Sequence, residues 1–300
     1  MKKLLLLSNG KVRGGEFLGY ARDWISEHFD ASPQNPKKIL FVPYAKMDHD
    51  AYLKDVEKAL NPLGIEVVAA HKVEDPIAEL DKVSGVFVGG GNTFRLLDTM
   101  QKNGLLEVIK EKVENGMPYM GASAGINIVA PTIRTTNDMP IVQPASFDAM
   151  GLVPFQINPH YVGGNLYYKG SGQTLETELE KSGILGKIAS LFMMDGGALF
   201  ARVKEALGLT IYNGETRAER LKEFHEENAT PVVGVVEGSG LRVYGNQVDL
   251  LGDKSAYIFQ KDQEPLEVKD GKVLSELMRG GWKHAYQALG VVLNKDSMAR

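Results

Sequence analysis

The chain has 300 residues, of which 43% are hydrophobic and 24% are charged, enough for one large or two smaller domains with a buried core. Its formal net charge is −4 and its lysines and arginines form no cluster, which argues against a nucleic-acid-binding surface. It contains no cysteine, which excludes disulfides, thiolate chemistry and cysteine-based metal sites.

The first apolar segment, Lys3–Ser8, predicts a buried strand. Two lysines followed by leucines superficially resemble a secretory leader, but the apolar run is too short for one and no small-residue cleavage site follows. No stretch approaches the roughly 18 apolar residues that a membrane-spanning helix needs. We therefore expect a soluble, cytoplasmic protein.

The first half of the chain alternates strand and helix patterns. The predicted strands are Lys3–Ser8, Lys38–Pro43, Gly64–Ala70, Ser84–Val88 and Met117–Met120. The predicted helices are Glu16–Phe29, Asp50–Leu60 and a stretch from Thr93 to Glu114 that breaks near Gly104. This alternation is typical of a mostly parallel, doubly wound α/β sheet with helices on both faces. Ligands bind at the carboxyl ends of the strands of such sheets.

The second half is less regular. Val153–Asn158 predicts a strand that ends at His160, Pro231–Val236 predicts another, and Leu241–Val268 predicts a small antiparallel part. Helices are expected at Glu215–Glu227 and Lys272–Leu289. Without a repeat or a linker, we expect one α/β domain over residues 1–300, with a helical insertion at about 161–210 and an extra C-terminal helix at about 270–300.

Residues Gly121–Gly125 read Gly-Ala-Ser-Ala-Gly, a G-x-S-x-G pattern between an apolar strand and a helix-like segment. This pattern is typical of a nucleophile elbow, a strand-to-helix turn that lifts a serine hydroxyl into a cleft. Glycines suit so tight a turn because a Cβ would oppose its backbone angles and the close approach of its neighbours. Ser123 is the predicted nucleophile; a small-residue turn that packs a helix onto a sheet is the alternative.

A serine nucleophile needs a base, an acid that orients the base, and donors for the oxyanion. His160 is the candidate base, because it ends an apolar strand and should share the sheet edge of the elbow; a capping or core histidine is the alternative. The other five are expected to be ordinary surface histidines: His28, His49, His71, His225 and His284.

Two acids compete for the third role. Asp138 lies in a polar loop after the elbow, where it could equally orient the substrate amine or stabilise the loop. Glu237 follows the strand Val232–Val236, a position that better suits support of His160. The residues alone do not separate the two.

Backbone N–H groups near Gly90, in the triplet Gly89–Gly91, and of Ala124 are the predicted oxyanion donors. The triplet also resembles a phosphate-binding turn, but neither G-x-G-x-x-G nor Gly-Lys-Ser/Thr occurs there, so nucleotide binding is weakly supported. Arg217 opens a predicted helix and has the side chain best suited to bidentate carboxylate recognition, although most such arginines are merely solvated. Histidine and carboxylate spacings typical of metal sites are missing, so no metal is expected.

Together these motifs resemble the peptidase E family, aspartyl dipeptidases of the serine type on a class I glutamine-amidotransferase-like α/β fold. The resemblance covers roughly residues 1–160 and 211–268, in the family's order. The matching stretches are Leu4–Asn9, Val88–Phe94, Gly121–Gly125, Ala130–Val142, Gln156–Tyr161, Gly214–Arg220 and Val235–Gly238.

The resemblance implies that Ser123 is the nucleophile, that His160 is its general base, and that Arg217 holds the side chain of the substrate's N-terminal aspartate. Asp138 and Glu237 both match positions proposed for the acidic member, with Glu237 preferred as the residue that touches His160. The implied reaction is hydrolysis of Asp-X dipeptides without a metal or other cofactor. The expected partner is a small dipeptide rather than nucleic acid or a membrane, and a homodimer is a candidate assembly.

Two departures separate the chain from this pattern. Tyr161–Thr210 stand where typical members have a short loop, and the residues after about Val268 are additional. The insertion could serve surface packing, an oligomer contact, or a lid that changes substrate choice. Hydrolysis of β-linked aspartyl or cyanophycin-type peptides is therefore an alternative activity. A non-catalytic binding protein on the same scaffold is a third reading.

Overall fold

The computed structural model describes residues 1–162, 166–168, 209–211 and 216–280. The chain divides into two compact units, one formed by Met1–Tyr161 with Glu223–Arg300 and the other by Val162–Lys222. Most of the predicted helical insertion at 161–210, and the predicted C-terminal helix beyond residue 280, lie outside the described residues. The single-domain interpretation stays a prediction.

The strands of the described residues are β1 (Lys3–Leu7), β2 (Lys37–Val42), β3 (Ile65–Ala69), β4 (Gly85–Val88), β5 (Pro118–Ala122), β6 (Gln156–Tyr161), β7 (Leu166–Tyr168), β8 (Leu209–Ile211), β9 (Val232–Val236), β10 (Gly240–Tyr244), β11 (Gln247–Leu251), β12 (Ala256–Phe259) and β13 (Leu266–Val268). The helices are α1 (Arg22–Phe29), α2 (His49–Leu60), α3 (Pro76–Glu79), α4 (Thr93–Lys102), α5 (Leu105–Glu114), α6 (Ala124–Asn127), α7 (Arg217–Glu227) and α8 (Gly271–Gly280).

The first unit contains a seven-stranded sheet in the order β3-β2-β4-β5-β1-β10-β11. Its first five strands are parallel, and β10 and β11 extend it antiparallel at one side. The predicted mostly parallel α/β sheet is thus confirmed. The small antiparallel part predicted over Leu241–Val268 is present, since β10 and β11 pair antiparallel and so do β12 and β13.

Helices cover both faces of this sheet, which explains why its strands are continuous apolar runs. Residues Leu4–Leu7 of β1 are fully buried, yet Leu4 and Leu6 belong to one hydrophobic cluster while Leu5 and Leu7 belong to the other. Helices α4 and α5 contribute to the first cluster, and α1 and α2 contribute to the second. Alternate side chains of a strand point to opposite faces, so one leucine run supplies two cores.

A second sheet of four strands has the order β13-β12-β9-β6, in which β6 and β9 are parallel. The prediction that the strand of His160 shares the sheet edge of the elbow is therefore wrong, because β6 pairs with β9 and not with the large sheet. In the second unit, β7 and β8 form an antiparallel pair.

Some element boundaries differ from the sequence prediction. The first helix begins at Arg22 rather than Glu16, after a short 3₁₀ turn at Gly19–Ala21. Helix α3 was not predicted; Asp75 caps its first N–H groups with its carboxylate. No helix in the described ranges is both long and apolar enough to cross a bilayer.

Candidate active site

Ser123 occupies the turn between β5 and α6, with a φ of 54° and a ψ of −111°. Positive φ is uncommon for a residue with a side chain and marks a strained backbone, as a nucleophile elbow requires. The Ser123 N–H donates to the carbonyl of Leu7 at 3.0 Å, which ties the turn to the end of β1. The predicted strand–turn–helix context of the G-x-S-x-G pattern is therefore present.

The two glycines of the pattern are required by close packing. A Cβ on Gly121 would lie 2.5 Å from the carbonyl oxygen of Gly125, and one on Gly125 would lie 2.2 Å from that of Val88. Both distances are far below van der Waals contact with backbone atoms. Glycine at 121 lets α6 fold back over β5, and glycine at 125 lets α6 pack against β4.

His160 lies between Ser123 and Glu237. Its Nε2 is 2.8 Å from the Ser123 hydroxyl oxygen, and its Nδ1 is 2.6 Å from a carboxylate oxygen of Glu237. An ionised carboxylate only accepts, so Nδ1 is the protonated nitrogen and Nε2 is free to accept the serine proton. The His160 side chain is 32% exposed and that of Glu237 is 49% exposed, so a small substrate can reach both.

Ser8, directly after β1, connects the two strands that carry this histidine and this glutamate. Its buried hydroxyl accepts from the His160 N–H at 2.9 Å and donates to the Val235 carbonyl at 2.8 Å. His160 has a φ of 54°, at an irregularity in the pairing of β6 with β9. The Ser8 hydroxyl therefore accepts from an N–H that lies at an interruption of the strand pairing.

Asn9 fixes the backbone beside Glu237, the residue that pairs with His160. Its side-chain oxygen accepts from the N–H of Gly238, the residue after Glu237, at 2.9 Å. Its own carbonyl accepts from the Tyr20 hydroxyl at 2.6 Å. Burial, and to a lesser degree the nearby Glu237 carboxylate, raise the pKa of Tyr20, so its hydroxyl stays protonated and keeps donating. Sequence reasoning noticed the Leu4–Asn9 stretch but assigned no role to Ser8 or Asn9.

Asp138 is placed differently from Glu237. One of its carboxylate oxygens accepts from the Thr93 N–H at 2.7 Å, from the Thr93 hydroxyl at 2.6 Å and from the Thr136 hydroxyl at 3.1 Å. Thr93 begins α4, whose N-terminal dipole favours a negative charge there. Of the two candidate acids, Glu237 is the one hydrogen-bonded to His160, while Asp138 anchors its loop to α4.

The glycine loop after β4 lies against the nucleophile. A Cβ on Gly90 would be 2.9 Å from the Cβ of Ser123. The Gly90 N–H donates to the Tyr52 hydroxyl at 2.8 Å, so this predicted oxyanion donor is already engaged. Among the described residues, the N–H groups of Gly91 and Ala124 have no acceptor. The oxyanion roles of Gly90 and Ala124 remain predictions.

An open cavity of about 560 Å³ adjoins the nucleophile, within the usual size range of small-molecule sites. Its lining includes Ser123, His160 and the glycine loop, together with residues of the loop after β1 and of helix α2. In the described ranges, no three histidine or carboxylate side chains cluster closely enough to hold a metal ion.

Two other sequence predictions concern residues outside this cavity. Arg217 begins α7 in the second unit and is partly buried, and its predicted role toward a substrate carboxylate stays a prediction. His225 is buried, contrary to the expectation of a surface histidine, and its Nδ1 is 3.1 Å from the Asn228 carbonyl oxygen. Burial lowers its pKa.

A strained serine at a strand-to-helix turn, hydrogen-bonded to a histidine that a carboxylate orients, defines a serine hydrolase of the triad type. Comparison with known proteins places the chain more narrowly. The profile of peptidase family S51 matches residues 4–251, and the chain belongs to that family.

The relatives carry consistent names. A protein of Streptomyces coelicolor named peptidase E is 42% identical over 275 residues, covering 92% of this chain and 94% of that protein. A Drosophila melanogaster protein named probable alpha-aspartyl dipeptidase is 38% identical over 262 residues, covering 87% and 91%. The crystal structure of a peptidase E protein from Listeria monocytogenes has a TM-score of 0.52 at 23% identity, covering 83% of this chain and 98% of its own. This structural similarity concerns the fold alone.

Proposed function

We propose that the protein is an aspartyl dipeptidase, which hydrolyses dipeptides with an N-terminal aspartate through a serine acyl-enzyme. The observation that carries this proposal is the hydrogen-bonded chain from Ser123 through His160 to Glu237. Family S51 membership and the names of the relatives support the reaction and the substrate class. We further propose a cytoplasmic role in peptide breakdown, without a cofactor.

In the first half of the reaction, the Ser123 oxygen attacks the scissile carbonyl carbon while His160 Nε2 takes the hydroxyl proton. Glu237 stabilises the imidazolium that forms. The carbonyl oxygen becomes an oxyanion beside the Ala124 N–H and the glycine loop, where the Gly91 N–H is available and the Gly90 N–H would first leave Tyr52. When the C–N bond breaks, His160 gives its proton to the leaving amine.

In the second half, water enters the site and attacks the acyl-enzyme. His160 takes a proton from this water, a new oxyanion forms at the same donors, and the C–O bond to Ser123 breaks. The proton returns to the Ser123 oxygen and free aspartate is released. One base and one oxyanion site thus serve both halves, and no redox or metal chemistry is needed.

We propose that Arg217 selects the substrate by pairing with the β-carboxylate of the N-terminal aspartate. Guanidinium groups bind carboxylates through two parallel hydrogen bonds, which suits this role. Arg217→Ala should cost about 2–5 kcal/mol of transition-state stabilisation for Asp-Leu and little for Ala-Leu. Equal losses on both dipeptides would contradict the specificity role.

The test of the proposed function is release of amino acids from Asp-Leu, Ala-Leu and β-Asp-Leu by the wild type and by Ser123→Ala. We expect fast cleavage of Asp-Leu that depends on Ser123. Cleavage of β-Asp-Leu alone would support the β-aspartyl alternative instead. If none of the three is cleaved, the proposed substrate class is wrong, although the serine chemistry can still be checked by labelling with a phosphonate.

A further inference from the structure

We propose that Lys46, assisted by Lys11, forms a cationic subsite that binds the C-terminal carboxylate of the dipeptide. The inference rests on the proposed function, because it concerns the residue on the leaving side of the scissile bond. Both lysines line the cavity that contains Ser123 and His160. The subsite would explain why a substrate that ends one residue after the scissile bond is preferred.

A short series of contacts fixes the ammonium group of Lys46 relative to the nucleophile. Gly90 lies against Ser123, and the Gly90 N–H donates to the hydroxyl of Tyr52, a buried residue of α2. The Lys46 ammonium nitrogen lies 3.8 Å from the centre of the Tyr52 ring. A cation over an aromatic face is held by the ring's negative electrostatic potential, so Lys46 is oriented even though it is exposed.

The backbone around Lys46 is also tied to the glycine loop. The carbonyl of Ala45 accepts from the Asn92 N–H at 2.8 Å. The Lys46 N–H donates to the Pro43 carbonyl at 3.1 Å, which closes a tight turn at the end of β2. The lysine therefore lies in a turn that is hydrogen-bonded to the residue after the glycine loop.

The charges that line the cavity leave this lysine without a carboxylate partner. Arg22 is paired with Glu16 on the cavity wall. Asp55 and Lys58 lie one turn apart on α2 and contribute opposite charges. Among the described residues, neither Lys11 nor Lys46 forms an ion pair. The side chains that line the cavity therefore include more cations than carboxylates, even with the Glu237 carboxylate behind His160 counted.

This excess fits the chemistry of a dipeptide. Its free carboxylate lies one residue beyond the scissile carbonyl, about 3.5 Å further along an extended chain. A longer peptide, or an amidated one, presents a neutral amide at the same place and gains nothing from the ammonium group. A fixed cation thus discriminates by chain length, because it reads the charge at the substrate's end.

The experiment compares Asp-Leu with Asp-Leu amide, which differ only in the terminal charge. We expect the wild type to prefer the free acid about tenfold in kcat/KM, the scale of a hydrogen bond to a charged group. Lys46→Met should remove most of this preference through KM, with kcat little changed, and Lys46→Arg should retain it. The matched control is Lys54→Met, which removes an exposed lysine of α2 that does not line the cavity.

A second readout does not depend on catalysis. N-Acetylleucine represents the leaving residue, and its affinity is measured by NMR titration. We expect this affinity to be lower in Lys46→Met than in the wild type, and lower still in the Lys11→Met/Lys46→Met double variant. N-Acetylleucinamide should bind equally weakly to all variants. If the wild type cleaves no aspartyl dipeptide but this dependence holds, the proposed function fails and the subsite stands.

Two results would overturn the subsite while leaving the proposed function intact. Equal kinetics of wild type and Lys46→Met on both substrates, with unchanged N-acetylleucine binding, would show that the ammonium group does not meet the carboxylate. An equal loss on Asp-Leu and Asp-Leu amide, with Ala-Leu spared, would show that Lys46 binds the aspartate side chain instead.

Discussion

The two sheets of the first unit position their catalytic groups in different ways. The large parallel sheet holds Ser123 through its own short sequence, because the flanking glycines and the strand before them determine the elbow. The small sheet holds His160 and Glu237 through side chains from elsewhere, chiefly Ser8 and Asn9 at the end of β1. The nucleophile is thus built locally, whereas the acid–base pair depends on contacts distant in sequence.

The comparison indicates where substitutions should act on chemistry and where they should act on stability. Groups that carry protons should affect kcat with little effect on folding, since they are partly exposed. Groups that join the two sheets should affect both.

Replacing Ser123, the nucleophile on the large sheet, should have the largest effect on kcat. Ser123→Ala deletes the nucleophile from an elbow that its glycines still define, so kcat on Asp-Leu should fall by about 10⁴–10⁶. The thermal unfolding midpoint should stay within the experimental error of the wild type. Wild-type turnover by the variant would show that another group attacks the substrate.

Removing the negative charge of Glu237, which follows β9 of the small sheet, should have the next largest effect on kcat. Glu237→Gln keeps the shape of the side chain but no longer stabilises the imidazolium, and kcat should fall by about 10²–10⁴. Unfolding should be almost unchanged, because the carboxylate is half exposed. A loss no greater than that of Asp138→Asn would exclude Glu237 as the acidic member.

Ser8 links the end of β1 in the large sheet to β6 and β9 in the small sheet. Ser8→Ala tests this link, because it leaves the His160 N–H without an acceptor. We expect kcat to fall by about tenfold, together with a loss of about 1–3 kcal/mol in the free energy of unfolding. Ser239→Ala is the matched control, since Ser239 is equally buried and donates to the Val236 carbonyl without contact to His160. If both variants lower kcat alike, the hydrogen bond between Ser8 and His160 has no special role in positioning the base.

Asp138→Asn removes the charge that accepts three hydrogen bonds at the start of α4. We expect the free energy of unfolding to fall by about 1–2 kcal/mol, with a smaller loss of kcat than in Glu237→Gln. Urea unfolding and kcat, measured on the same preparation, separate the two effects. A stable but inactive variant would return Asp138 to the catalytic machinery.

The smallest expected effect is on the pH dependence of stability, and it is tested with one buried or partly buried histidine beside each sheet. His28, on α1 over the large sheet, is partly buried rather than an ordinary surface histidine, and this burial lowers its pKa from 6.5 to about 4. In that window the unfolded chain binds a proton that the folded protein does not, so stability falls as the pH falls from 6.5 toward 4.

His28→Asn should therefore flatten this pH dependence, with little change in stability near neutral pH, where the histidine is uncharged in both the folded and the unfolded chain. His225→Asn, beside the small sheet, should act in the same direction, because burial also lowers the pKa of His225. Urea unfolding at a series of pH values checks both variants. A steeper decline in either variant would contradict the assigned direction.

The parallel sheet could be predicted because its strands are buried on both faces and so read as apolar runs of the right length. The elbow could be predicted because the five residues Gly121–Gly125 contain the steric information that the turn needs. Helix α1 was predicted too long, since the apolar pattern before Arg22 forms a loop and a 3₁₀ turn instead.

The arrangement of the acid–base pair could not be predicted in the same way. Periodicity shows that β6 is buried but not which strand it pairs with, so its separate sheet was missed. Asp138 lies in a polar loop and Glu237 follows a strand, and only the folded chain shows which of them meets His160. Ser8 lies 152 residues from His160 and Asn9 lies 229 residues from Gly238, so no local pattern could have signalled their contacts.

The parallel pairing of β6 with β9 has a consequence for how the chain tolerates change. His160 and Glu237 are held side by side by these adjacent strands, although the segment 162–231 separates the strands in sequence. The entropic cost of a connection grows only slowly with its length, by about 0.6 kcal/mol for each doubling. Changes in the length of this connection that keep Arg217 and α7 are therefore expected to leave the proton-transfer pair in place, since the pair is anchored at both ends of the segment.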